Sequence, residues 1–387
     1  MSQNNISENQ WKLPLYKVYT DDEDVNLITK IIKRGTRWAI GPEIEEFENQ
    51  IKNYVGTDYC LTLNSGTSAL HSLLLAHNIQ KDDEVIVPSF SFIATANSVL
   101  FVGGKPIFSD IEEETFGLDP TKISQKISNK TKAVIPMDYG GSPCKIYEIK
   151  KICDDNNIKI IEDAAEGLGS SINGRKTGSV ADSSIFSFCG NKVLTTGEGG
   201  AIVTNSKEIF EKVKLIRSHG RVDVGNYFDN TGDSNYEMFG FNWRMSSITA
   251  VLGISQLQKL DKLIKMRQDN ANYISSRLSN IQDIITPTTP DGFVSIFQMY
   301  TIRLQNKNIR TQLQDFLKKN QIFSKVYFQP IHSTSFYKTN FNSDDNDLEI
   351  TKKISEQVLT LPMYPNMSME EKDLLINTIK EFFENRN

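Results

Sequence analysis

Short β-rich runs alternate with helical patterns through the first two-thirds of the chain, which predicts an α/β fold built on a large, mostly parallel sheet. After residue 285 the rhythm changes, and 387 residues leave room for a second, smaller core. The expected layout is an N-terminal arm and helix over 1–40, a large domain over 41–260 and a small α+β domain over 261–387.

Taken in order, residues 1–40 read as an arm and one amphipathic helix. After Gly41-Pro42, Ile44, Phe47, Ile51 and Tyr54 recur at helical spacing. Strands are expected at Tyr59–Leu63, Glu84–Val87, Pro106–Ser109, Ala133–Met137, Ile158–Ile161, Ser184–Phe188 and Ala201–Thr204. Helical segments such as Ala69–His77 and Ile146–Asn156 fall between them. Asp229–Asn235 is polar and turn-prone, so it reads as a loop. Leu257–Ile281 reads as one long helix leading into the last third. There the pattern gives a strand over Ser295–Leu304, a helix over Arg310–Asn320, and helices near 350–358 and 369–384. The acidic run at 344–347 lacks the Gly and distal Glu of a calcium loop and reads as solvated.

Composition narrows the function classes. The net charge of −5 argues against a nucleic-acid-binding surface. Lys30, Lys33, Arg34 and Arg37 cluster, but Asp21, Asp22, Glu23 and Asp24 stand close by, as on a solvated helix face. Cys60, Cys144, Cys153 and Cys189 show no CxxC spacing, so no metal site is expected. Sparse cysteines suit a reducing compartment. No apolar leader and no run near the roughly 20 residues of a membrane helix is visible, so a cytoplasmic protein without membrane contact is expected. In that setting the N-x-S/T matches at Asn5, Asn129 and Asn366 read as chance.

Three segments carry chemistry. In NSGTSAL (64–70) a strand ends, a turn containing Gly66 follows and a helix begins. The free N–H groups of that helix start, with the Thr67 and Ser68 hydroxyls, offer an anion cradle, although Ser and Thr also cap helices with no ligand present. In IIEDAAEGLG (160–169) two carboxylates stand at the C-terminal end of a strand, the edge where ligands bind in parallel sheets. An acid there either pairs with a protonated ring nitrogen or caps the helix that follows. Strand alternation turns Glu162 and Asp163 to opposite sides, and Asp163 is the choice. Gly167-Leu168-Gly169 lacks the third glycine of a dinucleotide fingerprint. In SFCGNKVLTTGEGG (187–200), Lys192 lies between an apolar strand and a glycine-rich turn. A lysine in a partly dry site loses its proton more readily and attacks a carbonyl carbon. An anion cradle, an acid for a ring nitrogen and an amine for an aldehyde are the contacts pyridoxal phosphate requires.

Further segments extend the pattern: RWAIGPEIEEFE (37–48), DEVIVPSFSFIATANSVL (83–100), FGFNWRMSSITA (239–250) and LPMYP (361–365). With the three above, in this order and spacing, the chain resembles the DegT/DnrJ/EryC1/StrS sugar aminotransferases over nearly its whole length. The resemblance implies the aspartate-aminotransferase-like fold (fold type I). It implies Lys192 as the lysine that bonds the cofactor, Asp163 as partner of its ring nitrogen and Glu166 beside its ring. Phe92 would stack on the ring face, and Gly66, Thr67 and Ser187 would hold the phosphate. Asn242 would reach the phosphate of a partner subunit's cofactor, which implies a homodimer with shared sites. Arg244 and His332 would line the nucleotide-sugar side. Two departures stand out: Asp138 occupies a position where His is common, and Lys325 one where some relatives carry Arg. Both are expected to touch substrate.

The implied activity is transfer of an amino group, from L-glutamate, to a keto-sugar carried by a nucleotide. A dehydratase branch of the family has His in place of the lysine, so Lys192 argues against that chemistry. Amino transfer to a cyclitol ketone and a non-catalytic, cofactor-binding regulatory protein are the alternatives.

Overall fold

The computed structural model describes residues 11–222, 235–341 and 347–386. The expected loop at Asp229–Asn235 and the acidic run at 344–347 fall largely outside these residues. So does Asn5.

Seven strands form the central sheet, in the order Tyr59–Leu63, Gly200–Thr204, Ser183–Ser187, Lys159–Asp163, Thr131–Val134, Glu84–Pro88 and Lys105–Ser109. Gly200–Thr204 runs against both its neighbours, and the remaining pairs are parallel. The strands are short apolar runs because both faces of a parallel sheet are covered. Val85 and Val87 pack with Leu70, Leu73 and Val99 on one face, while Ile86 points the other way into Ile149 and Cys153. At the far end of the sheet, Phe186 and Val203 pack with Phe47, Ile51 and Ile254.

A second apolar cluster gathers Ala271, Ile274, Ile302, Leu313, Leu359 and Ile379, together with Leu13 of the arm. It is built on a three-stranded antiparallel sheet of Ile284–Ile285, Tyr300–Leu304 and Val358–Leu361. Helices Leu260–Leu278, Lys307–Lys319 and Met369–Glu384 cover it. The arm reaches this cluster through a parallel bridge between Leu13 and Ile322. Asp21 and Asp24 form a capping box at the start of helix Asp22–Arg34, which packs on helix Ser247–Gln258.

Two expectations change. The single helix over Leu257–Ile281 is two helices, Ser247–Gln258 and Leu260–Leu278, broken at Lys259 with φ −107° and ψ 4°. From the break, the Lys259 amine donates to Asp21 at 2.6 Å and Asp24 at 3.0 Å. The helix gives up its continuity where that ion-pair cluster forms. The strand expected over Ser295–Leu304 begins only at Tyr300. Residues 296–299 are bonded elsewhere: the Ile296 and Met299 N–H groups donate to the carbonyls of Gly141 and Gly140, both at 3.0 Å.

Candidate active site

The strand Lys159–Asp163 delivers two carboxyls to its C-terminal end and points them apart. Glu162 turns toward the Ser183–Ser187 strand, accepting from Gly178 N–H at 2.9 Å and Ser184 Oγ at 2.8 Å. Asp163 turns the other way, accepting from Thr95 Oγ1 at 2.7 Å and Ala165 N–H at 3.3 Å. Burial raises the Asp163 carboxyl above its ordinary value, while the Thr95 bond, the Ala165 N–H and the Lys192 charge pull it back. Thr95 is itself bonded to Ser91 at 2.7 Å. A buried acid with a cation among the charges near it is suited to a cationic ring nitrogen.

Lys192 follows the Ser183–Ser187 strand in a tight loop. Its amine donates to Glu166 Oε1 at 3.0 Å, and its side chain is only 13% exposed. The other Glu166 oxygen accepts the Gly140 N–H at 2.9 Å. The amine is therefore held partly dry by a charge-assisted bond whose acceptor is itself fixed from behind.

Opposite, Ser65 caps helix Gly66–Ala76 by accepting from Ser68 N–H. The N–H groups of Gly66 and Thr67 are left at the helix start, where anions are favoured. A Cβ at Gly66 would come within 3.0 Å of Ser187 Cβ, so glycine brings the helix start against the Ser187 side chain. Phe92 sits before helix Ile93–Phe101 with its ring 58% exposed. Three residues on in the same turn, Thr95 holds buried Asp163, so this open aromatic ring stands close in sequence to the acid's own partner.

Gly66, Thr67, Ser187, Asp163, Glu166 and Lys192 thus surround the C-terminal edge of one sheet. Asn242 is exposed and pairs through a backbone bridge with Ser218. Arg244 bridges to Leu63 and donates to Ser218 Oγ at 3.1 Å. Burial, with Arg221 and Arg217 nearby, lowers the pKa of its guanidinium. Lys325 is exposed, with its amine 4.7 Å from the centre of the Tyr327 ring.

Two residues lie elsewhere than expected. His332 is 3% exposed, its Nδ1 bonded to Ser89 Oγ and its ring near Phe108. It braces the loop after strand Glu84–Pro88 and offers the open cleft no surface. Asp138 is 0% exposed; its Oδ1 accepts Cys144 N–H at 2.8 Å, and Oδ2 lies where a Cβ on Gly167 would be 2.8 Å away. A group sealed behind Gly167 touches no substrate, so that expectation is corrected.

The sequence reading did not single out Thr95, Gly140 or Gln298. Gln298 Oε1 accepts Val193 N–H, and its Nε2 donates to the Asn191 carbonyl, both at 2.8 Å. Thr95 was in reach, three residues after Phe92 in the same helix turn. Gly140 and Gln298 act through bonds spanning 26 and 105 residues, for which local sequence gives no sign.

An amine for a carbonyl, a buried acid for a ring nitrogen, a donor cradle for a phosphate and an open aromatic face are a donor set that fits pyridoxal phosphate. Residues 18–380 match the profile of the DegT/DnrJ/EryC1/StrS aminotransferase family. GDP-perosamine synthase of Vibrio cholerae is 30% identical, over 96% of this chain and 99% of that protein. The structure of Helicobacter pylori PseC, an aminotransferase of pseudoaminic acid biosynthesis, is 28% identical and superposes with a TM-score of 0.89, covering 96% of this chain and 99% of that one. The PLP form of the sugar aminotransferase Spr1654 of Streptococcus pneumoniae gives 0.89 at 25% identity, over 96% and 99% of the two chains. The chain belongs to this family of pyridoxal-phosphate-dependent sugar-nucleotide aminotransferases, and its fold is theirs. No helix among the described residues is long and apolar enough to cross a membrane.

Proposed function

We propose that the chain transfers an amino group from L-glutamate to the keto group of a nucleotide-linked hexose, a 4-keto-6-deoxy or 3-keto sugar, as a cytoplasmic homodimer. The observation that carries this reading is the Lys192 amine held by Glu166 at the sheet edge that Asp163 closes from below. Bound pyridoxal phosphate supplies a carbonyl that exchanges amines and a ring that accepts electrons. Asp163 holds a proton on the ring nitrogen, which keeps the ring electron-poor. Phe92 would cover one ring face, and Gly66, Thr67 and Ser187 would hold the phosphate. Lys192 Nζ, once free, takes the Cα proton of the donor and returns it one atom away. Glu166 keeps that amine on a fixed line of approach.

The substrate class rests on the named relatives, which include synthases of nucleotide-linked amino sugars. It is supported by the half-buried guanidinium of Arg244, a group suited to a diphosphate, with Arg221 close enough to act on its charge. Exposed Asn242 lies beside that group, as a residue serving a second subunit's phosphate would.

The test is purified protein with pyridoxal phosphate, L-glutamate and a panel of UDP-, GDP- and dTDP-linked keto-sugars, read by mass spectrometry. One amino-sugar product, absent with Lys192→Ala, is expected. Normal turnover by Lys192→Ala, or no product from any sugar, sinks the reading.

A further inference from the structure

We infer that Gln298 is a positioning residue for Lys192, setting from a segment 105 residues away in sequence the line along which the amine enters the site. The inference rests on the reading of Lys192 as the lysine that bonds the cofactor. Its two amide atoms grip the two peptides that flank Lys192. The Val193 N–H is accepted at 2.8 Å and the Asn191 carbonyl receives a donor at 2.8 Å. Both atoms of the carboxamide head are thereby used, so the loop is held in position and in rotation.

Gln298 is in turn fixed. It is buried, and Arg267 Nη1 donates to the carbonyls of Phe297 at 2.9 Å and Gln298 at 3.4 Å. The neighbouring Met299 N–H donates to the Gly140 carbonyl at 3.0 Å, and the Gly140 N–H holds Glu166. One four-residue segment, 296–299, therefore sets both the backbone under Lys192 and the carboxylate that receives its amine. That is a design in which the relative position of amine and acceptor depends on one segment of chain. Misplacement of a reacting group by a fraction of an ångström to an ångström lowers rates far more than it lowers binding.

The experiment uses full-length wild type, Gln298→Leu, Gln298→Glu and Lys192→Ala. Each is loaded with pyridoxal phosphate, and three quantities are read: cofactor dissociation constant, pH midpoint of the visible cofactor band, and single-turnover rate with L-glutamate. Gln298→Leu removes both bonds. Gln298→Glu keeps an acceptor for Val193 but sets an oxygen against the Asn191 carbonyl, so the first bond survives alone. For Gln298→Leu we expect a turnover rate lower by about tenfold or more, a displaced pH midpoint and a dissociation constant within about threefold of wild type. Gln298→Glu should lie between it and wild type.

A purely structural role would lower thermal stability while leaving the midpoint in place, and that result overturns the inference. So does equal loss in Gln298→Leu and Gln298→Glu. Borohydride-fixed cofactor in Lys192→Ala at the wild-type level would instead overturn the assignment of Lys192, on which the inference depends.

Discussion

Glu166 receives the Lys192 amine on one carboxylate oxygen and the Gly140 N–H on the other, at 3.0 and 2.9 Å. The pairing makes the amine's position a property of the backbone at Gly140 rather than of a free side chain. Glu166→Gln keeps an acceptor for Gly140 but removes the charge that holds Lys192. Its turnover should fall by about tenfold with the fold intact. Glu166→Leu also strands a buried N–H, which costs about 1–3 kcal/mol. Circular dichroism melts of both variants beside glutamate turnover separate the two effects. Equal melting with equal turnover loss would contradict the double role.

The carboxyls of Asp138 and Glu162, with the Cys144 thiol, place one ligand atom each within 4.8 Å of one another in the interior. Burial pushes Glu162 up to about 7 and Asp138 well above its ordinary range. Among the described residues Asp138 Oδ2 has no hydrogen-bond partner, whereas Glu162 has two donors, so the neutral form belongs on Asp138 first. Because the folded pKa of Glu162 is raised, the folded state binds the extra proton between its ordinary value of 4.5 and about 7. Stability from this group is therefore full below that window and is lost as pH rises through it. In Glu162→Gln, which keeps an acceptor for Gly178 and Ser184, the apoprotein Tm should fall less between pH 5 and pH 8 than in wild type. The gap corresponds to a few kcal/mol at most. Parallel Tm curves would show that Glu162 does not titrate there.

Arg267 is a fully buried cation with no carboxylate partner among the bonds it makes. Its Nη1 donates to the carbonyls of Phe297, Gln298 and Met363 at 2.9, 3.4 and 3.1 Å, and burial lowers its pKa to about 9. It joins the long helix Leu260–Leu278 to the segment carrying Gln298 and to the chain after strand Val358–Leu361. Arg267→Met keeps volume but leaves those carbonyls without a donor, so unfolding free energy should fall by roughly 2–5 kcal/mol. Turnover of the folded fraction should fall too, through Gln298. Urea titration of the apoprotein measures the first, and an unchanged midpoint rules it out.

The sheet was legible in the sequence because each buried strand is a short apolar run, so Tyr59–Leu63 and Ala201–Thr204 read almost to the residue. Strand alternation told Glu162 and Asp163 apart, and the structure turns the two carboxyls to opposite sides. Position relative to solvent was not legible. Asp138 and His332 sit beside motif residues in sequence, yet the chain folds over them, Asp138 beneath Gly167 and His332 against Ser89. Periodicity reports the faces of an element and says nothing of what later covers its end. The break at Lys259 was hidden for a related reason. Its side chain is bonded to Asp21 and Asp24, more than 230 residues away, while the local pattern stays helical.

Gly66 offers a test of the anion cradle that leaves the amine and the acid untouched. Its Cα faces Ser187, and a methyl there would meet Ser187 Cβ at 3.0 Å and Oγ at 3.4 Å. Contacts that tight require the neighbour to move, and the hydroxyl assigned to the phosphate moves with it. Alanine is a better helix former than glycine, so Gly66→Ala does not weaken the helix as such. The expected outcome is an apoprotein that melts within a few degrees of wild type but binds pyridoxal phosphate about tenfold more weakly, as loss of one charge-assisted bond predicts. Pyridoxal, which lacks the phosphate, should bind wild type and variant alike. Equilibrium dialysis with both compounds decides it, because weakening confined to pyridoxal phosphate locates the defect at the phosphate, whereas equal weakening of both would place it at the ring.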